Sequence, residues 1–300
     1  MAFPYLQSVS KKTGVTPEQM RQIYELEHDF YQKIGQESSF EKRQKLYEHV
    51  YVAVAQFFDT DQAAYFEKLV AVKKKIAFQF KKELAGKSVL DVGCGNGSFL
   101  YALAQTDIPT QDLYGLDIKA PLFPNDEAGR RIKCYQRNII RFEVPQQFDT
   151  LILDNVYEHI APQDKGFFLE SLRKSLKPNG KIIMIIPHRF FGPTDFTSII
   201  DNTMTGKLTA HCVHLNETTY GDMVQDLASI GLSNCYTTVP FITLSPLRNW
   251  LPGLRLPVSW FVALEKSSFL MKILRSVLLK GRCLFRMEVI IIAQKLPART

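Results

Sequence analysis

The amino-acid sequence predicts an α/β fold: a doubly wound, mostly parallel sheet of seven strands with helices on both faces. Three observations carry this prediction. Short apolar runs alternate with helical stretches after Gly86, a glycine-rich turn follows the first of these runs, and an aspartate ends the second. The 300 residues are 46% hydrophobic and 22% charged, which excludes a disordered or fibrous chain and provides enough apolar side chains for a core.

Residues 1–85 predict a helical extension in front of the sheet. Thr16 is the expected N-cap of a first helix, because a proline and a glutamate follow it. A second helix is expected from about Ser39, and a third over about 61–84 with Gly86 as its C-cap. These helices either pack against the rest of the chain or cover a site, and packing is the simpler interpretation.

Residues 86–300 predict the domain that contains the sheet. Seven apolar runs have the length and composition of strands. They are 88–92, 113–117, 133–136, 150–153, 181–186, 234–241 and 288–293. The helices expected between them are 98–105, 165–175 and 217–230.

The glycine-rich turn lies at 89–97, with the sequence VLDVGCGNG. Glycines suit a tight turn where the backbone must approach a ligand without a Cβ in the way. Asp117 ends the next strand, twenty residues after Gly97. A carboxylate in that place can accept hydrogen bonds from both hydroxyls of a ribose. The order of strand, turn, helix, strand and acid therefore predicts a nucleoside-binding site.

The spacing of the glycines separates two classes of nucleoside site. A dinucleotide fingerprint needs a third glycine at position 98, where this chain has Ser98. The turn instead resembles motif I of the class I S-adenosylmethionine-dependent methyltransferases. The resemblance continues in order through 114–117 (YGLD), 148–160 (FDTLILDNVYEHI) and 176–187 (LKPNGKIIMIIP). It implies a Rossmann-like fold with a reversed last strand, S-adenosylmethionine as cofactor, and methyl transfer as the reaction.

The resemblance also implies which residues bind the cofactor. Those on the turn, toward the methionine end, are Asp91, Gly93, Cys94, Gly95 and Gly97. Asp117 is expected to hold the ribose. Those on the adenine side are Ile118, Asn138 and Ile139, with Asn138 where the family often has an aspartate that reads the adenine amino group. Those at the end of the fourth strand, near the cofactor amine, are Asp154, Asn155 and Val156.

Two residues after the fourth strand are candidates for catalysis. A hydroxyl acceptor must lose its proton, ideally to a group whose pKa lies near neutrality. His159 is the first candidate base, because it follows the strand at the carboxyl edge where ligands bind in open α/β sheets, and Glu158 is the second. The alternative is that His159 only packs or caps its helix. The predicted reaction is methylation of a small, apolar or amphipathic acceptor, most often at oxygen.

Metal binding is not predicted. His211 and His214 are three residues apart, which on a helix would place two ligands on one face, but no third ligand is evident. The five cysteines are scattered without CxxC spacing, so neither a zinc site nor a disulfide framework is expected. His188, Arg189 and Asp195 follow the fifth strand and are further candidates for substrate contact.

A basic amphipathic insertion is predicted at about 242–286, between the sixth strand and the reversed last one. Residues 240–300 hold ten lysines and arginines but two acids, a net charge of +8, whereas the remainder sums to −1. Ser267 or Ser268 is the expected cap of a helix with one apolar stripe. The stripe residues are Phe269, Leu270, Ile273, Leu274, Val277 and Leu278. The insertion is either a lid packed on the N-terminal helices, a membrane-surface element or a contact for an anionic partner.

Two other functions compete with small-molecule methylation. One is methylation of RNA or another anionic macromolecule, and the other is a non-catalytic cofactor-binding subunit. Residues 154–157 (DNVY) lack the paired prolines of amino-methylating nucleic-acid enzymes, which argues against a nucleic-acid partner. No signal peptide or membrane span is evident, so a cytoplasmic protein is expected, with peripheral membrane contact as the alternative. The sequence gives no indication of the oligomeric state.

Overall fold

A computed structural model of the chain describes Ser10 and residues 14–58, 62–200, 209–238, 254–279 and 288–296. Its helices are α1 (Pro17–Gln36), α2 (Phe40–Ala55), α3 (Gln62–Gln79), α4 (Lys81–Leu84), α5 (Ser98–Ala104), α6 (Glu127–Arg130), α7 (Lys165–Ser175), α8 (Phe196–Ile200), α9 (Tyr220–Ser229), α10 (Val258–Glu265) and α11 (Ser268–Leu279). Its strands are β1 (Lys87–Val92), β2 (Thr110–Asp117), β3 (Ile132–Gln136), β4 (Phe148–Asp154), β5 (Leu176–Pro187), β6 (Leu232–Thr237), β7 (Leu256–Pro257) and β8 (Glu288–Lys295).

The eight strands form one sheet in the order β3-β2-β1-β4-β5-β8-β6-β7. Strands β1 to β5 pair in parallel, and β8 runs antiparallel to both β5 and β6. The seven predicted strands and the reversed last strand are therefore confirmed. The eighth strand, β7, was not predicted: it is a two-residue segment of the insertion that pairs with the end of β6. Residues 239–241 of the predicted sixth strand lie outside the described residues.

The strand order reverses beside β1, which lies between β2 and β4. In open α/β sheets, ligands bind in the crevice beyond the carboxyl ends of the strands at such a switch point. The turn after Val92, the acid Asp117 and the end of β4 at Asp154 all meet at this edge. The topology therefore places the predicted cofactor residues together.

The N-terminal helices begin as the sequence predicts. The Thr16 hydroxyl caps α1 in a reciprocal capping box with Gln19, and Ser39 caps α2. The third predicted helix was wrong as a single element, since it is broken at Phe80 into α3 and α4. Phe80 is fully buried, and the Arg255 guanidinium of the insertion lies 5.9 Å from its ring centroid. The break thus coincides with a tertiary contact that propensity does not reveal.

The N-terminal helices complete the core on both faces of the sheet. Phe30 and Tyr47, from α1 and α2, belong to the buried cluster that contains Leu151 of β4. Val70 of α3 belongs to the cluster on the opposite face, with Val89 of β1. Burial of apolar surface stabilises by roughly 25 cal/mol per Å². The extension is therefore integral to the folded core and is not a detachable cover.

A buried ion pair fastens α2 beneath the candidate catalytic turn. The Arg43 side chain donates to both oxygens of Asp164, at 3.1 and 3.0 Å from its Nε, and both residues are almost fully buried. The Tyr47 hydroxyl accepts a hydrogen bond from the Ala161 backbone N–H at 2.7 Å. Both contacts fall just after the turn that carries Glu158 and His159. The N-terminal helices therefore help to position that turn.

The insertion is anchored by its single acidic residue. Glu265, at the end of α10, accepts hydrogen bonds from the backbone N–H groups of Tyr220 and Gly221 at 2.7 and 2.9 Å, and so caps α9. Its carboxylate also lies 2.8 Å from His188 Nε2, at the end of β5. This contact brings the end of α10 to the carboxyl edge of the sheet.

The described part of the predicted apolar stripe of α11 is partly exposed to solvent. Ser267 caps α11 as expected, with its Oγ accepting from the Leu270 N–H at 3.3 Å. However, the side chain of Phe269 is 70% exposed and that of Ile273 is 43% exposed, whereas Met271 is buried. The helix rests on α10 and on the 3₁₀ turn at Arg189–Phe191. Residues 242–253 and 280–286 of the predicted insertion lie outside the described residues.

Candidate active site

The glycine turn has the conformation that its sequence requires. Gly93, Gly95 and Gly97 all have positive φ angles, of 74°, 53° and 77°. A Cβ on Gly97 would lie 2.3 Å from the ring of Phe123, so a side chain there would displace that ring. No atom lies within 4 Å of a Cβ built on Gly95. The turn is thus closely packed at one glycine and open at another, as a ligand-binding backbone needs.

Asp117 lies beside the open part of this turn. Its Oδ2 accepts a hydrogen bond from the Gly95 backbone N–H at 2.8 Å, which fixes the carboxylate at the crevice. Burial raises the pKa of Asp117, and the N–H groups of Gly95 and Lys119 oppose that rise. A half-buried carboxylate held by the main chain can accept both hydroxyls of a ribose. The predicted pair of glycine turn and acid is thus brought together.

The methionine side of the site contains the two predicted acids, Asp91 and Asp154, and a lysine that the sequence did not indicate. Asp91 is 3% exposed, and burial, together with the charge of Asp154, raises its pKa well above the usual range. Lys73 of α3 pairs with Asp154 Oδ2. Asn155 has a φ of 57° and donates from Nδ2 to the other Asp154 oxygen at 2.8 Å. Lys73 lies 81 residues before Asp154, so no local motif could have revealed this contact.

The remaining predicted cofactor residues surround this edge. Ile118 and Ile139 are half-buried. The Asn138 Oδ1 accepts the Ile140 N–H at 2.9 Å, which fixes the side-chain amide at this edge. Two others pack around the turn. They are Val156, 2.7 Å from a Cβ built on Gly93, and Cys94, whose Sγ is 2.7 Å from one built on Gly115.

Glu158 occupies an unusual environment. It lies on a 3₁₀ turn, Tyr157–His159, where the resemblance implied a helix. Its side chain is fully buried, and neither carboxylate oxygen has a hydrogen-bond partner in the described part of the chain. Burial raises the pKa of Glu158 to about 8. An unpaired buried carboxylate is costly, so this residue indicates a functional role rather than a packing role.

His159 is less suited to act as a base than the sequence suggested. Its Nδ1 lies 3.2 Å from the Val213 carbonyl oxygen, and its ring meets that of His214 edge to face, with centroids 4.8 Å apart. Burial, followed by the charge of His214, lowers the pKa of His159 to about 3. A group with that pKa binds a proton weakly at neutral pH. The lowered pKa of His159 therefore argues against this residue as the general base.

His214 lies next to Glu158. Residues 211–214 do not form a helix, so the shared helical face considered for His211 and His214 does not arise. The His214 Nδ1 is 2.8 Å from Glu217 Oε1 and 3.0 Å from Thr194 Oγ1. Burial opposes a charge on its ring, but the hydrogen bond to Glu217 and the charge of Glu158 outweigh it and raise the pKa of His214. The backbone carbonyl oxygen of His211 lies 2.9 Å from His28 Nδ1 of α1.

A cavity of about 220 Å³ adjoins this group at the carboxyl ends of β4 and β5. It is lined by Asn155, Glu158, Pro187, His188, Phe191, Thr194, His214 and Glu288. Of the further substrate candidates, His188 lines the cavity, Asp195 is buried and accepts the His214 N–H at 3.2 Å, and Arg189 pairs with Asp222. Thr194, Glu217 and Glu288 were not predicted, because nothing in their local sequence distinguishes them.

The sheet order, the left-handed glycine turn and the acid after β2 together define a class I methyltransferase fold. A family model described as a methyltransferase domain matches residues 83–228. This match and the methyltransferase relatives support a class I S-adenosylmethionine-dependent methyltransferase. This class uses S-adenosylmethionine as methyl donor.

Individual relatives match over part of their length. The ubiquinone biosynthesis O-methyltransferase of Idiomarina loihiensis is 34% identical over 103 residues, which cover 33% of this chain and 42% of that protein. Methyltransferase PsoC of Aspergillus fumigatus is 28% identical over 131 residues, covering 40% and 47%. This chain thus spans less than half the length of these curated relatives. A further similar structure is an O-methyltransferase from a trans-AT polyketide synthase of Brevibacillus brevis, solved with S-adenosylhomocysteine. The match covers 76% of this chain and 73% of that protein, with 18% identity and a TM-score of 0.43.

Proposed function

We propose that this protein is an S-adenosylmethionine-dependent O-methyltransferase that acts on a small acceptor. The observation that carries the proposal is the carboxylate of Asp117, held by the Gly95 N–H at the open glycine turn, on the same sheet edge as the polar cavity. A nucleoside site and an acceptor cavity at one switch point are what in-line transfer between two bound molecules requires. The O-methyltransferase names of the relatives favour oxygen over nitrogen as the methylated atom.

The residues on the cofactor side of the sheet edge fit S-adenosylmethionine. Asp117 would accept the ribose hydroxyls, and Ile118 and Ile139 would flank the adenine. Asp154 and Lys73 offer one charge of each sign at the methionine end, which matches the amine and the carboxylate of an amino acid. When bound, S-adenosylmethionine supplies a methyl group on a positively charged sulfur that departs with the electron pair of the broken bond.

The chain's own contribution to the reaction is orientation and proton removal. Holding two reactants in line can lower a barrier by about 7–11 kcal/mol. A volume of about 220 Å³ suits a small molecule or the reacting end of a longer one. Glu158 and His214 both line this cavity, so an acceptor hydroxyl bound there would lie beside two acid–base groups. His159, whose Nδ1 faces the Val213 carbonyl oxygen, lies next to them. The hydroxyl proton would pass to Glu158 or His214 as the new carbon–oxygen bond forms.

Isotope labelling tests this function. The purified chain would be incubated with cell extract and S-adenosylmethionine that carries a deuterated methyl group, and products would be separated and analysed by mass spectrometry. A labelled small molecule whose fragments place the methyl group on oxygen is the expected result. Asp117→Ala protein is the matched control and should give little of the labelled product. Label on RNA, on protein or on nitrogen would overturn the proposal.

We also propose that the insertion contacts an acidic membrane surface. The side chain of Trp260 is 63% exposed and that of Phe269 is 70% exposed, and exposed Lys266 and Lys272 lie on the same helical pair. The acid Glu265 is turned inward, with its side chain 7% exposed. The exposed charges of described residues 254–274 are therefore positive, which suits anionic lipid. Among the described residues, no helix is long and apolar enough to cross a bilayer.

A further inference from the structure

We propose that Glu158, His159 and His214 bind a divalent transition-metal ion beside the acceptor cavity. The three residues come from the turn after β4 and from the loop before α9. Each offers one potential ligand atom, and these atoms lie within 4.8 Å of one another. This site replaces the sequence-based expectation of no metal, which considered His211 as the partner of His214.

The carboxylate is the first argument for a cation. Both oxygens of Glu158 are buried and lack a hydrogen-bond partner within the described ranges. Its main-chain carbonyl accepts the N–H groups of Leu215 and Asn216 at 2.7 and 2.8 Å, so the turn and the loop are fastened together. Two unused carboxylate oxygens in a rigid, buried setting are a ready ligand for a positive ion.

The orientation of the histidines is the second argument. The His159 Nδ1 faces the Val213 carbonyl oxygen, and the His214 Nδ1 faces the Glu217 carboxylate. A ring nitrogen that faces such an acceptor carries the proton, which leaves the Nε2 lone pair free. Metal-binding histidines almost always make this contact with their other nitrogen, to a backbone carbonyl or a carboxylate. Both histidines therefore already have the outer hydrogen bond of a metal ligand.

The local charge is the third argument. Glu27 and Asp195 are also buried near His214, at 3% and 5% exposure, and Glu217 is hydrogen bonded to it. The Asp195 Oδ2 accepts the backbone N–H of His214 at 3.2 Å. Together with Glu158, four buried carboxyl groups thus lie around one imidazole. A divalent cation would offset this excess of acid.

The ligand set and the cavity suggest which metal binds and what it does. Two nitrogens and one carboxylate oxygen suit Zn²⁺ and neighbouring divalent transition metals. Ligand atoms of a tetrahedral zinc site lie roughly 3.4 Å apart. Small side-chain rotations would bring the three ligand atoms, which lie within 4.8 Å of one another, to that distance. Three protein ligands leave a position open, and Glu158 and His214 line the cavity. If the proposed function holds, an acceptor oxygen bound there would lose its proton to solvent more readily.

Cobalt spectroscopy tests the site without any assay of methyl transfer. The full-length chain, purified without a histidine tag and stripped with a chelator, would be titrated with Co²⁺. The expected result is one Co²⁺ per chain with visible absorption bands of low coordination number, displaced by Zn²⁺. Glu158→Gln and His214→Ala should each weaken binding at least tenfold. His49→Ala, which removes an exposed histidine of α2, is the matched control and should leave binding unchanged.

Glu217→Gln gives a second test that does not remove a ligand. Because Glu217 orients His214 through its carboxylate, this near-isosteric change should weaken Co²⁺ binding by about 10- to 100-fold while thermal unfolding confirms an intact fold. Absence of the cobalt bands, or bands that persist in the Glu158 and His214 variants, would overturn the site. S-adenosylmethionine affinity, measured by calorimetry on the same preparations, separates the outcomes. Labelled product without cobalt binding would refute the metal alone, and cobalt binding without product would refute the function alone.

Discussion

The two halves of the candidate active site are built in different ways. The cofactor half consists of the glycine turn, Asp117 and the end of β4, and its predicted residues all lie between positions 91 and 156. The acceptor half takes Glu158, Thr194, His214 and Glu288 from four separate segments. The cofactor half is therefore formed mainly by the backbone of residues that lie close together in the sequence. The half that meets the acceptor exists only after distant loops have packed together.

The two halves also differ in how their carboxylates are satisfied. On the cofactor side, Asp117 accepts backbone N–H groups and Asp154 pairs with Lys73. On the acceptor side, Glu158 has no hydrogen-bond partner from the described residues for either oxygen. A satisfied carboxylate positions a ligand, whereas an unsatisfied one is available for a proton or a metal ion. The following changes test this difference, beginning with the largest expected effect.

Glu158→Gln should separate the two halves most clearly. The change keeps the size of the side chain but removes its ability to accept a proton, so turnover of the acceptor found by labelling should fall by about 10²- to 10⁴-fold. Affinity for S-adenosylmethionine should stay unchanged in calorimetry, because the cofactor half is intact. Glu143→Gln, at an exposed position after β3, is the control and should keep full turnover. Normal turnover in Glu158→Gln would show that this carboxylate takes no part in the chemistry.

Arg43→Met should reveal how far the acceptor half depends on the N-terminal helices. The change leaves Asp164 as an unpaired buried charge, which typically costs about 3–5 kcal/mol. Urea unfolding would measure the loss. Arg173→Met breaks the exposed pair with Glu170 and should cost less than about 1 kcal/mol. Equal stabilities of the two variants would contradict the anchoring role of α2.

Asp117→Ala should damage the cofactor half alone. Loss of the carboxylate that is placed for the ribose should weaken S-adenosylmethionine binding at least tenfold, or about 1.4 kcal/mol, in calorimetry. Asp112→Ala, at an exposed position on the same strand, is the matched control. Cobalt binding should be the same in both variants. Unchanged cofactor affinity in Asp117→Ala would mean that the ribose assignment is wrong.

Lys272→Glu should have the smallest effect, because it tests the surface beyond the acceptor half. Each basic group near an anionic bilayer contributes about 1 kcal/mol, so charge reversal should lower co-sedimentation with phosphatidylserine vesicles at least fivefold. Binding should also fall as salt is raised. Lys87→Glu, at the start of β1 on the opposite sheet edge, is the control and should bind normally. No binding of the unmodified chain at low salt would remove the membrane proposal.

Much of the fold followed from local patterns. The seven strands, the cap at Thr16, the helix start near Ser39 and the reversed last strand were predicted because apolar runs and capping residues act over a few positions. The break at Phe80 and the short strand β7 were missed. Both coincide with contacts between the insertion and the rest of the chain, which propensity cannot express. The surface that α11 meets stayed open among three alternatives, since amphipathicity does not say which surface a helix meets.

The sequence by itself determined the cofactor half. A turn that needs left-handed residues, followed by a strand that ends in Asp117, specifies its own backbone and brings the acid to Gly95 by strand pairing alone. Only the tertiary structure decided the acceptor half. His214 lies 56 residues beyond Glu158 in a loop without regular structure, and the two meet because backbone bonds fasten the loop to the turn. Strand pairing follows from local sequence patterns, whereas the placement of loops depends on the packing of the whole molecule.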